Sequence, residues 1–528
     1  MNHLLTLSDV ILAHARTKPE QIAVRDSVNT FSYQQLNLRA SQLALAMISR
    51  GLKKGDQVCV LAYNRAEWVE IYVGLARAGL VVVPINFRLS STEIAYILEH
   101  SEAKAIIVQD SLSEKLEALK NEILDKIIFV IGNDEQQLNA SNYENALKNS
   151  NTLSPTEFEK IEGEDIFALM YTSGTTGKPK GAIRSHAGNM MIALATSLEF
   201  EFKDKDTALL VMPMCHANSL YFMITFLYIG GTINISDKQS FDPEDLLRTF
   251  AHEKITFTSL VPTHYIMMLG LSEEIKVKYD VSSISKLLIS SAPARRDTKL
   301  AILDYFKNSK LFELYGSTEA GWVTLLRPDE QLEKLGSVGR EWVGSGAIRI
   351  LNENREEVLD GEVGELFSRT SYAFDGYWKN VEKTKEAFQD KWCSVGDMAR
   401  RDSEGFVYLV DRKSNMIISG GENIYPSELE NVIGANPKVK DVAVVGVPDQ
   451  KWGESVIALI VTHIGETVTE KEIQTWCKKY LASFKTPRKV IQITENEMPR
   501  NATGKILHRV LREKYQVIFQ ESKLESLS

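Results

Sequence analysis

The sequence predicts an α/β protein with a large N-terminal domain of layered α/β subdomains plus a β subdomain, followed by a small α+β C-terminal domain. Three observations predict this fold class. The chain has 528 residues, which is too many for a single hydrophobic core. Its 44% hydrophobic content is that of a globular protein. Helical and strand patterns alternate through most of the chain. From Ala347 they give way to short strands and turns.

The N-terminal alternation predicts parallel strands joined by helices. Apolar residues recur at helical spacing in residues 32–51 and 66–79, and both segments end at a glycine. Apolar runs typical of buried strands lie at residues 58–62, 81–84 and 105–108, with helical segments between them. Strands connected through helices form right-handed crossovers, so we expect a largely parallel sheet.

The same pattern returns after a polar interruption. Residues 132–164 are polar and weakly patterned, and we expect a surface connection there rather than a domain boundary. A helix–strand–helix pattern that begins near Leu409 predicts the compact C-terminal domain. Between these two segments, strands are predicted at residues 208–213, 231–235, 257–261 and 287–290.

Charge and cysteine usage exclude several classes of protein. A formal net charge of −9 argues against a nucleic-acid binder, because such proteins use basic side chains to contact phosphates. The four cysteines are far apart and form no CxxC pair, which indicates a reducing compartment and no metal cluster. They are Cys59, Cys215, Cys393 and Cys477.

Targeting and membrane signals are weak. The apolar stretch at residues 4–15 is interrupted by Asp9, and no positively charged residues precede it, so a secretory signal is not expected. The longest apolar runs fall well short of the ~20 residues that a membrane-spanning helix needs. We therefore expect a cytoplasmic protein without an integral membrane segment.

A glycine- and hydroxyl-rich loop follows the predicted strand at residues 166–170. It reads "YTSGTTGKPKGA" from Tyr171 to Ala182, and its backbone N–H groups and lysines suit a polyphosphate. It is not a P-loop, because two residues rather than four separate Gly174 from Gly177, and a proline replaces the Ser/Thr after Lys178. A plain surface hairpin is the alternative that loop chemistry leaves open.

Three charged residues in later loops fit the same interpretation. Glu319 follows Tyr-Gly-Ser-Thr, and a single carboxylate beside phosphate oxygens is the usual way to hold Mg²⁺. Asp397 follows a glycine in an apolar context, where ribose hydroxyls would supply donors to it. Lys505 stands in a Gly-Lys turn among basic residues. Taken alone, a glutamate or a lysine in such a loop is usually a solvated surface residue, and an aspartate there is at least as often a turn cap.

Together these segments resemble the adenylate-forming superfamily of acyl-CoA synthetases, adenylation domains and firefly luciferase. The glycine-rich loop matches the phosphate-loop signature of that family, and the further motifs follow in the order of the family from about Phe31 to Leu511. They are "PMCHANS", "SSAPA", "YGSTEAG", "GEVGEL", "GYWKN", "SVGDMARRD", "DRKSNMIISGGENIYPSELE" and "PRNATGK".

The resemblance implies an ATP-dependent ligase that works in two half-reactions. A carboxylate attacks the α-phosphate of MgATP to give an acyl-adenylate and pyrophosphate, and a thiol, here that of coenzyme A, then displaces AMP. The first step brings an anion to a polyanion, so its stabilisation must be electrostatic. The implied partners are a carboxylic acid, ATP, Mg²⁺ and coenzyme A, without nucleic acid; a homodimer is left open.

The resemblance also implies roles for individual residues, of which Lys505, Thr172 and Glu319 are the catalytic ones. Thr172, Ser173, Gly174, Thr175, Thr176, Gly177, Lys178 and Lys180 would cradle the β- and γ-phosphates. Ser291, Ala292, Pro293, Glu313, Leu314, Tyr315 and Gly316 would line the adenine side of the nucleotide. Glu319 and Thr318 would hold Mg²⁺, Asp397 and Arg412 the ribose and phosphate, Lys505 the reacting carboxylate and α-phosphate, and Gly421 the pantetheine tunnel.

The family architecture implies a mobile C-terminal domain. Residues 1–410 would form the N-terminal adenylation domain and residues 411–528 the mobile domain, which rotates between the half-reactions. The hinge position is Ser414, where the family more often has Asp or Lys, so the rate of domain switching is open. "SSAPA" and Cys215 also depart from the family pattern, and both bear on the acyl pocket.

The acid is less determined than the reaction. A fatty acid is the first expectation, because fatty acids are the commonest substrates of the family, and a stand-alone acyl-CoA synthetase the closest type. Ligases for an aryl or carnitine-like acid, and an enzyme that loads a carrier-protein thiol, remain alternatives. An ATP sensor without turnover is disfavoured, because it needs no lysine at the α-phosphate. The predicted pocket wall comprises His216, Asn218, Tyr221, His264 and Trp322.

Overall fold

The computed structural model describes residues 5–133, 138–150, 158–172, 178–290, 294–342, 344–419, 422–449, 452–500 and 504–525. Within these ranges, no helix combines the length and the apolar character needed to cross a bilayer. All four cysteines are free thiols and are buried.

The helices begin where the sequence supplies caps. Ser32 and Ser90, for example, accept a hydrogen bond from the third residue of the helix that follows, and the side chain of that residue returns a bond to the serine backbone. In chain order the helices are α1 (Leu7–Thr17), α2 (Tyr33–Ile48), α3 (Glu67–Arg77), α4 (Ser91–His100), α5 (Ser113–Glu117), α6 (Tyr143–Lys148), α7 (His186–Glu199), α8 (Ala217–Ile229), α9 (Pro243–His252), α10 (Pro262–Leu269), α11 (Glu273–Lys278), α12 (Arg296–Tyr305), α13 (Val381–Ala387), α14 (Pro426–Gly434), α15 (Glu470–Tyr480) and α16 (His508–Glu525).

The strands are short, and many are buried on both faces. In chain order they are β1 (Ile22–Arg25), β2 (Thr30–Ser32), β3 (Gln57–Leu61), β4 (Val81–Pro84), β5 (Ala105–Gln109), β6 (Ile127–Ile131), β7 (Ser141–Asn142), β8 (Ile166–Thr172), β9 (Lys180–Ser185), β10 (Thr207–Leu210), β11 (Thr232–Ile235), β12 (Phe257–Leu260), β13 (Lys286–Ile289), β14 (Lys310–Ser317), β15 (Gly321–Leu326), β16 (Arg340–Glu341), β17 (Ile348–Leu351), β18 (Gly364–Ser368), β19 (Phe388–Gln389), β20 (Trp392–Cys393), β21 (Asp397–Arg401), β22 (Val407–Arg412), β23 (Ile417–Ser419), β24 (Glu422–Ile424), β25 (Val439–Asp449), β26 (Gly453–Thr462) and β27 (Lys489–Gln492).

The chain folds into two compact units. The first comprises Met1–Ile348 and Ser368–Val395, and the second comprises Arg349–Phe367 and Gly396–Ser528. This division differs from the boundary expected at residue 410, because segments on both sides of that residue pair in one antiparallel sheet in the second unit. A rotating domain that begins at residue 411, with its hinge at Ser414, stays a prediction.

Two sheets organise the first unit, and both are largely parallel, as the helix–strand alternation predicts. One sheet has the order β16-β15-β14-β13-β12-β10-β11-β1-β2, and its strands from β14 to β1 run parallel. The other has the order β7-β6-β5-β3-β4-β8-β9, with only β9 antiparallel to its neighbour. The predicted α/β fold class is confirmed.

The hydrophobic clusters show how the layers stack in the first unit. Val58 and Val60 of β3 point into a cluster with helices α2, α3, α7 and α8 and with residues of the other sheet. Cys59 and Leu61 point to the opposite face, against α4 and α5. Because alternate residues of a strand point to opposite faces, one apolar run serves two layers. Helices α2, α3, α7 and α8 thus share one core with strands of both sheets.

The second unit is an α+β structure built around the long hairpin β25–β26. Val444 on one face packs with α14 and α15, while Val445 on the other packs with α16. Strands β23, β24 and β27 complete this sheet. A second antiparallel group pairs β18 with β21 and β21 with β22. The small α+β C-terminal part of the prediction is confirmed.

The polar segment at residues 132–164 contains more structure than the expected surface connection. Its strand β7 extends the sheet, and its helix α6 packs on α2. Two polar contacts fix this helix: Tyr143 donates to Glu70 Oε1 over 2.7 Å, and Arg39 Nη2 donates to Glu144 over 2.5 Å. Arg39 also forms a two-pronged pair with Glu70, whose side chain is fully buried.

Replacing Arg39 with methionine should lower the free energy of unfolding by about 3–5 kcal/mol, because the Glu70 carboxylate then stays buried without its cation. Denaturant titration measures the change. Glu144→Gln is the control, since this partner is 41% exposed and its loss should cost about 0–1 kcal/mol. Equal losses for both variants would contradict the assignment of Glu70 as the critical partner.

Candidate active site

A buried carboxylate lies in the turn between β14 and β15 of the first unit, and polar side chains from distant parts of the chain contact it. Glu319 is 7% exposed, and its Oε1 accepts hydrogen bonds from Thr172 Oγ1 and from the Tyr377 hydroxyl, each over 3.0 Å. In the part of the chain that the structure describes, no group donates to Oε2. The two hydroxyls therefore orient the carboxylate by one oxygen, and no described donor engages the other.

Glycines at both ends of this turn allow its tight geometry. A Cβ on Gly316 would lie 2.4 Å from the carbonyl oxygen of Gly321. Gly321 has a φ of 72°, and a Cβ on it would lie 2.6 Å from the Tyr372 ring. The backbone N–H of Phe374 donates to the Glu319 carbonyl over 2.7 Å. The turn is thus clamped between its own hairpin and the segment 370–377.

Two side chains hold the backbone of this turn. No role is predicted for Arg184 from the sequence, and Tyr221 is predicted on the pocket wall. Arg184 on β9 is 1% exposed, and its Nη1 donates to the Thr318 carbonyl over 3.3 Å. The Tyr221 hydroxyl donates to the same carbonyl over 3.1 Å. Tyr221 is fully buried, and its hydrogen bond supports the turn. Its expected place on the pocket wall stays a prediction.

Arg184 is a buried cation with no carboxylate partner among the described residues. Its Nε and Nη2 have no hydrogen-bond partner there, and its guanidinium lies 5.1 Å from the centre of the Tyr221 ring. A charge in this position contributes positive potential behind Glu319. The signal that sequence reasoning could have used is an arginine directly after the apolar pair Ala182-Ile183 in the strand "KGAIRS".

The glycine-rich loop is described at its two ends. Residues Ser173, Gly174, Thr175, Thr176 and Gly177 lie outside the described residues, so their predicted phosphate contacts stay predictions. Thr172 ends β8 and Lys180 begins β9 opposite to it. The Lys180 ammonium lies 4.1 Å from the centre of the Tyr377 ring, whose hydroxyl binds Glu319. Lys178 is exposed, 5.4 Å from the Tyr96 ring centre.

The predicted adenine wall is described only in β14. Ser291, Ala292 and Pro293 lie outside the described residues. Glu313 is turned into the protein, where its carboxylate meets Lys299 of α12 at 2.6 Å, and both side chains are almost fully buried. Burial raises the pKa of Glu313, and the charge of Lys299 opposes this. An adenine contact by Glu313 would therefore come from its backbone.

The remaining residues of β14 lead toward the Glu319 turn. Leu314 is buried in the main core of the first unit, whereas Tyr315, Gly316 and Thr318 are half-buried. Tyr315 pairs across the hairpin with Thr324, and a register shift follows at Gly316. The strand thus changes from core to partly accessible surface as it approaches the carboxylate.

Two histidines of the predicted pocket wall are neutral near pH 7. Loss of hydration and the nearby charge of Arg88 lower the pKa of His216 and of His264 to about 4. His264 stacks on Phe241 at 4.1 Å between ring centres. The buried Nε2 of His216 and Nδ1 of His264 have no hydrogen-bond partner among the described residues. Both rings therefore present unused polar atoms rather than charge.

A hydrogen-bonded polar cluster follows His216 on α8. Asn218 Nδ2 lies 3.1 Å from Ser259 Oγ and 3.4 Å from Ser290 Oγ, and the two serine oxygens lie 3.2 Å apart. Asn218 is half-buried, while both serines are buried. These groups come from α8 and from the ends of β12 and β13. The predicted pocket wall is therefore polar at this end.

Trp322, the last residue predicted for the pocket wall, is packed in the main core of the first unit, and its place on the wall stays a prediction. The indole is 5% exposed, lies edge-on against Tyr221 at 5.0 Å between ring centres, and donates from Nε1 to Thr196 Oγ1 over 3.2 Å. Phe222 of α8 lies 5.6 Å away. A rigid, hydrogen-bonded indole in this position occupies volume and does not yield easily.

The second unit contains its own charged cluster at the end of β22. Asp397 and Arg412 face each other across β21 and β22, with Arg412 Nε 3.1 Å from Asp397 Oδ1. Asp411 accepts from the backbone N–H of Ser427 over 2.9 Å and so ties β22 to the start of α14. The structure thus brings together the two residues predicted to bind the ribose.

Lys505 lies near this cluster in the second unit. Loss of hydration and the charge of Arg412 lower the pKa of Lys505, although the residue is exposed over much of its surface. Asp397, Asp411 and Glu430 oppose this shift. Gly421, the residue expected to line the pantetheine tunnel, lies outside the described residues.

Family comparison agrees with this arrangement of motifs. The AMP-binding enzyme family matches residues 11–378, and the AMP-binding enzyme C-terminal domain matches residues 428–505. The chain belongs to the AMP-binding enzyme family. AMP-binding enzymes of this type are AMP-forming acid–thiol ligases, which use ATP, Mg²⁺ and coenzyme A.

The relatives of this AMP-binding enzyme differ in the acids they activate. The 2-succinylbenzoate–CoA ligase of Bacillus licheniformis is 32% identical over 501 residues, which cover 94% of this chain and 98% of that protein. The long-chain-fatty-acid–CoA ligase FadD13 of Mycobacterium tuberculosis is 33% identical over 492 residues, which cover 92% and 93%. Membership in the family therefore does not identify the carboxylic acid that this protein activates.

Solved structures agree over almost the whole AMP-binding enzyme. The o-succinylbenzoate CoA synthetase MenE of Bacillus subtilis, bound to its acyl-adenylate intermediate, matches with a TM-score of 0.83 and 28% identity over 97% of this chain and 99% of that one. The same enzyme bound to ATP and a magnesium ion matches with a TM-score of 0.81 and 27% identity over 95% and 98%.

The residues of the Glu319 turn fit a magnesium ion. Glu319 offers one carboxylate whose Oε2 accepts from no described donor, and Mg²⁺ in nucleotide sites is commonly held by one or two carboxylates with substrate phosphates. Glu319, with the neighbouring Thr318, would hold the ion. When bound, the metal neutralises phosphate charge and orients the phosphates.

Glu319→Gln should raise the Mg²⁺ concentration for half-maximal rate and lower kcat by about 10²–10³, because it removes the charge and keeps the shape of the turn. A Mg²⁺ titration of pyrophosphate release measures both effects. Tyr377→Phe is the matched control: it removes one donor to Oε1, keeps the charge, and should cost about tenfold. An unchanged Mg²⁺ dependence in Glu319→Gln would contradict the assignment.

Proposed function

We propose that this protein is an ATP-dependent carboxylate–CoA ligase. It activates a carboxylic acid as an acyl-adenylate with release of pyrophosphate, and then transfers the acyl group to the thiol of coenzyme A. The observation that carries the proposal is the buried Glu319 carboxylate, fixed through one oxygen by Thr172 and Tyr377. Its position beside the ends of β8 and β9 suits a group that binds near phosphates.

In the first half-reaction, a carboxylate oxygen of the acid attacks the α-phosphorus of ATP. The bond from that phosphorus to the bridging oxygen breaks, and pyrophosphate leaves. Both reactants are anions, so a cation between them lowers the barrier. Lys505 would supply this cation, Arg412 and Asp397 would bind the ribose and phosphate, and the glycine-rich loop would bind the β- and γ-phosphates through its backbone N–H groups.

In the second half-reaction, the thiolate of coenzyme A attacks the acyl carbonyl carbon, and AMP leaves with the electron pair of the cleaved bond. Lys505 has no role in this step, so a rotation that removes it is compatible with turnover. Ser414 stands in the turn after β22 and would serve as the hinge. A serine there neither adds charge nor restricts the backbone as a proline would.

A fatty acid is the first candidate substrate, and Trp322 bears on its length. The indole is buried and anchored to Thr196, and the aromatic side chains of Tyr221 and Phe222 surround it. An alkyl chain that ran past this point would have to displace well-packed rings. We therefore propose a short- or medium-chain acid rather than a long one.

An aryl acid is the second candidate, and the polar cluster on the predicted wall favours it. Asn218, Ser259 and Ser290 provide an amide and two hydroxyls that match a ring substituent with hydrogen-bonding groups. The neutral imidazoles of His216 and His264 add two polar atoms without a described partner. A simple alkyl chain would offer no hydrogen-bond partner to these groups.

A screen for pyrophosphate release separates these candidates. The acids are saturated fatty acids from acetate to palmitate, benzoate and its hydroxy derivatives, and a betaine acid that resembles carnitine. Each is tested with ATP and Mg²⁺, with and without coenzyme A, and with a phosphopantetheinylated carrier protein in its place. If none of the acids causes pyrophosphate release, the proposed activity is contradicted. If the acyl group is transferred to the carrier protein but not to coenzyme A, coenzyme A as the acceptor is contradicted.

We propose the cytoplasm as the location on the basis of thiol chemistry. All four cysteines are free and buried, as expected for a chain that folds under reducing conditions. The cytoplasm therefore remains the proposed location.

Lys505→Ala should lower the rate of adenylation by about 10²–10³, the effect of one lost electrostatic stabiliser. Formation of the thioester from pre-made acyl-adenylate should fall much less, because the second step does not use this cation. Single-turnover assays of the two half-reactions measure the difference. Equal losses in both steps would contradict the role of Lys505 and the rotation of the C-terminal domain.

Trp322→Ala should shift the optimum of the ligase toward longer acids. Each newly buried methylene should add about 0.8 kcal/mol to transition-state binding, while acids that already fit should lose about 1–3 kcal/mol of apolar contact. A series of kcat/KM values over chain length measures this. Trp322→Phe is the control, since it keeps most of the volume and removes the hydrogen bond to Thr196. A parallel fall at every length would show that Trp322 lies outside the acyl site.

A further inference from the structure

The last turn of α4 lies against the base of the hairpin that carries the glycine-rich loop. His100, the final residue of α4, places its Nδ1 2.8 Å from the hydroxyl of Tyr171 on β8. Burial raises the pKa of Tyr171, and loss of hydration lowers the pKa of His100. A phenol that keeps its proton therefore meets a neutral imidazole, and the two form a hydrogen bond rather than an ion pair.

The same turn reaches the far end of the loop through Tyr96. The Tyr96 hydroxyl donates to the Pro179 carbonyl over 3.2 Å, and its ring centre lies 5.4 Å from the Lys178 ammonium. Tyr96 precedes His100 by four residues, so both side chains lie on one face of the helix, with their ring centres 5.3 Å apart. This aromatic pair, Tyr96 and His100, therefore contacts the described residues on both sides of the loop.

A third contact connects the end of α4 with the Glu319 turn. The Trp378 indole donates from Nε1 to the His100 carbonyl over 3.1 Å, which satisfies a backbone acceptor at the end of the helix. The Trp378 backbone N–H donates to the Gly181 carbonyl on β9 over 2.8 Å. Its neighbour Tyr377 binds the Glu319 carboxylate. Hydrogen bonds thus connect α4, the hairpin and the candidate metal ligand.

The docking of α4 does not need the aromatic pair. Ile94, Ile97 and Leu98 are at most 1% exposed and pack the helix into the hydrophobic cluster of β3, β5 and β6. The aromatic pair is only half-buried, and its polar atoms are directed at the hairpin. A solvated tyrosine and histidine would serve a helix that is already anchored equally well. The contacts therefore indicate a role in the hairpin rather than in the core.

Fixed ends matter to a loop that has to order around an anion. Glycine-rich segments lose much backbone entropy on ordering, and this loss opposes binding. Contacts that hold the ends in advance reduce the loss that the ligand must offset. Lys178 gains in addition an aromatic face for its ammonium, which restricts a long side chain without neutralising its charge.

We propose that Tyr96 and His100 are positioning residues for the triphosphate of ATP. By holding Tyr171 and Pro179, the aromatic pair keeps both ends of the glycine-rich loop, and Lys178 with them, in the arrangement that binds the β- and γ-phosphates. The inference rests on the proposed role of this loop in the ligase reaction. AMP lacks these two phosphates, so the aromatic pair should affect the affinity for ATP and not that for AMP.

The test is a comparison of two nucleotides in the full-length protein. Calorimetry with Mg²⁺ and without any acid measures the dissociation constants of ATP and of AMP. The variants are Tyr96→Phe, His100→Ala, His100→Asn, and His100→Ala combined with Tyr171→Phe. Glu99→Gln is the matched control, because it changes an exposed residue in the same turn of α4. Thermal unfolding reports whether each variant is folded.

We expect Tyr96→Phe and His100→Ala to weaken ATP binding by about three- to tenfold, the effect of one lost hydrogen bond, and to leave AMP binding within about twofold. His100→Asn should recover most of the loss, because its amide stands where Nδ1 stood. Adding Tyr171→Phe to His100→Ala should cost nothing further, because both changes remove the same hydrogen bond. Glu99→Gln should bind both nucleotides like the wild type.

Equal losses for ATP and AMP would overturn the proposal, because a merely structural role of the aromatic pair would give this result. Unchanged ATP binding in Tyr96→Phe and His100→Ala, or a wild type that binds ATP no more tightly than AMP, would overturn it as well. If the alanine variants do not fold, Tyr96→Phe decides alone, since it removes a single hydroxyl. A wild type that binds ATP but releases no pyrophosphate with any acid contradicts the proposed function, and the binding comparison still tests the aromatic pair.

Discussion

The burial of one carboxylate is the constraint on which the first unit depends. The acidic side chain of Glu319 is nearly inaccessible, so the protein must supply hydrogen bonds that water would otherwise provide. Thr172 and Tyr377 bind one oxygen, and Arg184 holds the backbone behind it. The glycines of the turn, the clamp by residues 370–377 and the placement of the strand ends all serve this arrangement.

The sequence predicted the strands whose apolar runs are unbroken, because burial on both faces leaves no other explanation for such a run. The predicted strand at 81–84 coincides with β4, and Glu319 was identified from the turn that contains it. Arg184 and Tyr377 were assigned no site role, because their partners lie far away in the chain and pairing follows from tertiary structure. The helix α6 was missed for the same reason: its polar residues are fixed by Arg39 and Glu70.

The site residues also show where a family pattern reaches its limit. Motif order identifies the reaction, because electrostatic stabilisation of phosphate chemistry requires the same residue types in every member. The residues proposed to contact the acid, such as Asn218 and Trp322, are set by packing and not by the chemistry of the phosphates. Sequence alone does not predict the buried ion pair between Glu313 and Lys299, because glutamate and lysine usually lie on the protein surface. Selectivity depends on such packing details.

The hydrogen bond from Thr172 to Glu319 joins residues 147 positions apart, and it links the two sheets of the first unit. Neither sheet alone contains both partners, so a chain with only one sheet formed lacks this pair of the proposed nucleotide site. Long-range contacts of this kind form late in folding, because a large loop must close first. With the proposed nucleotide site, bound nucleotide would stabilise the finished unit relative to its precursors by mass action.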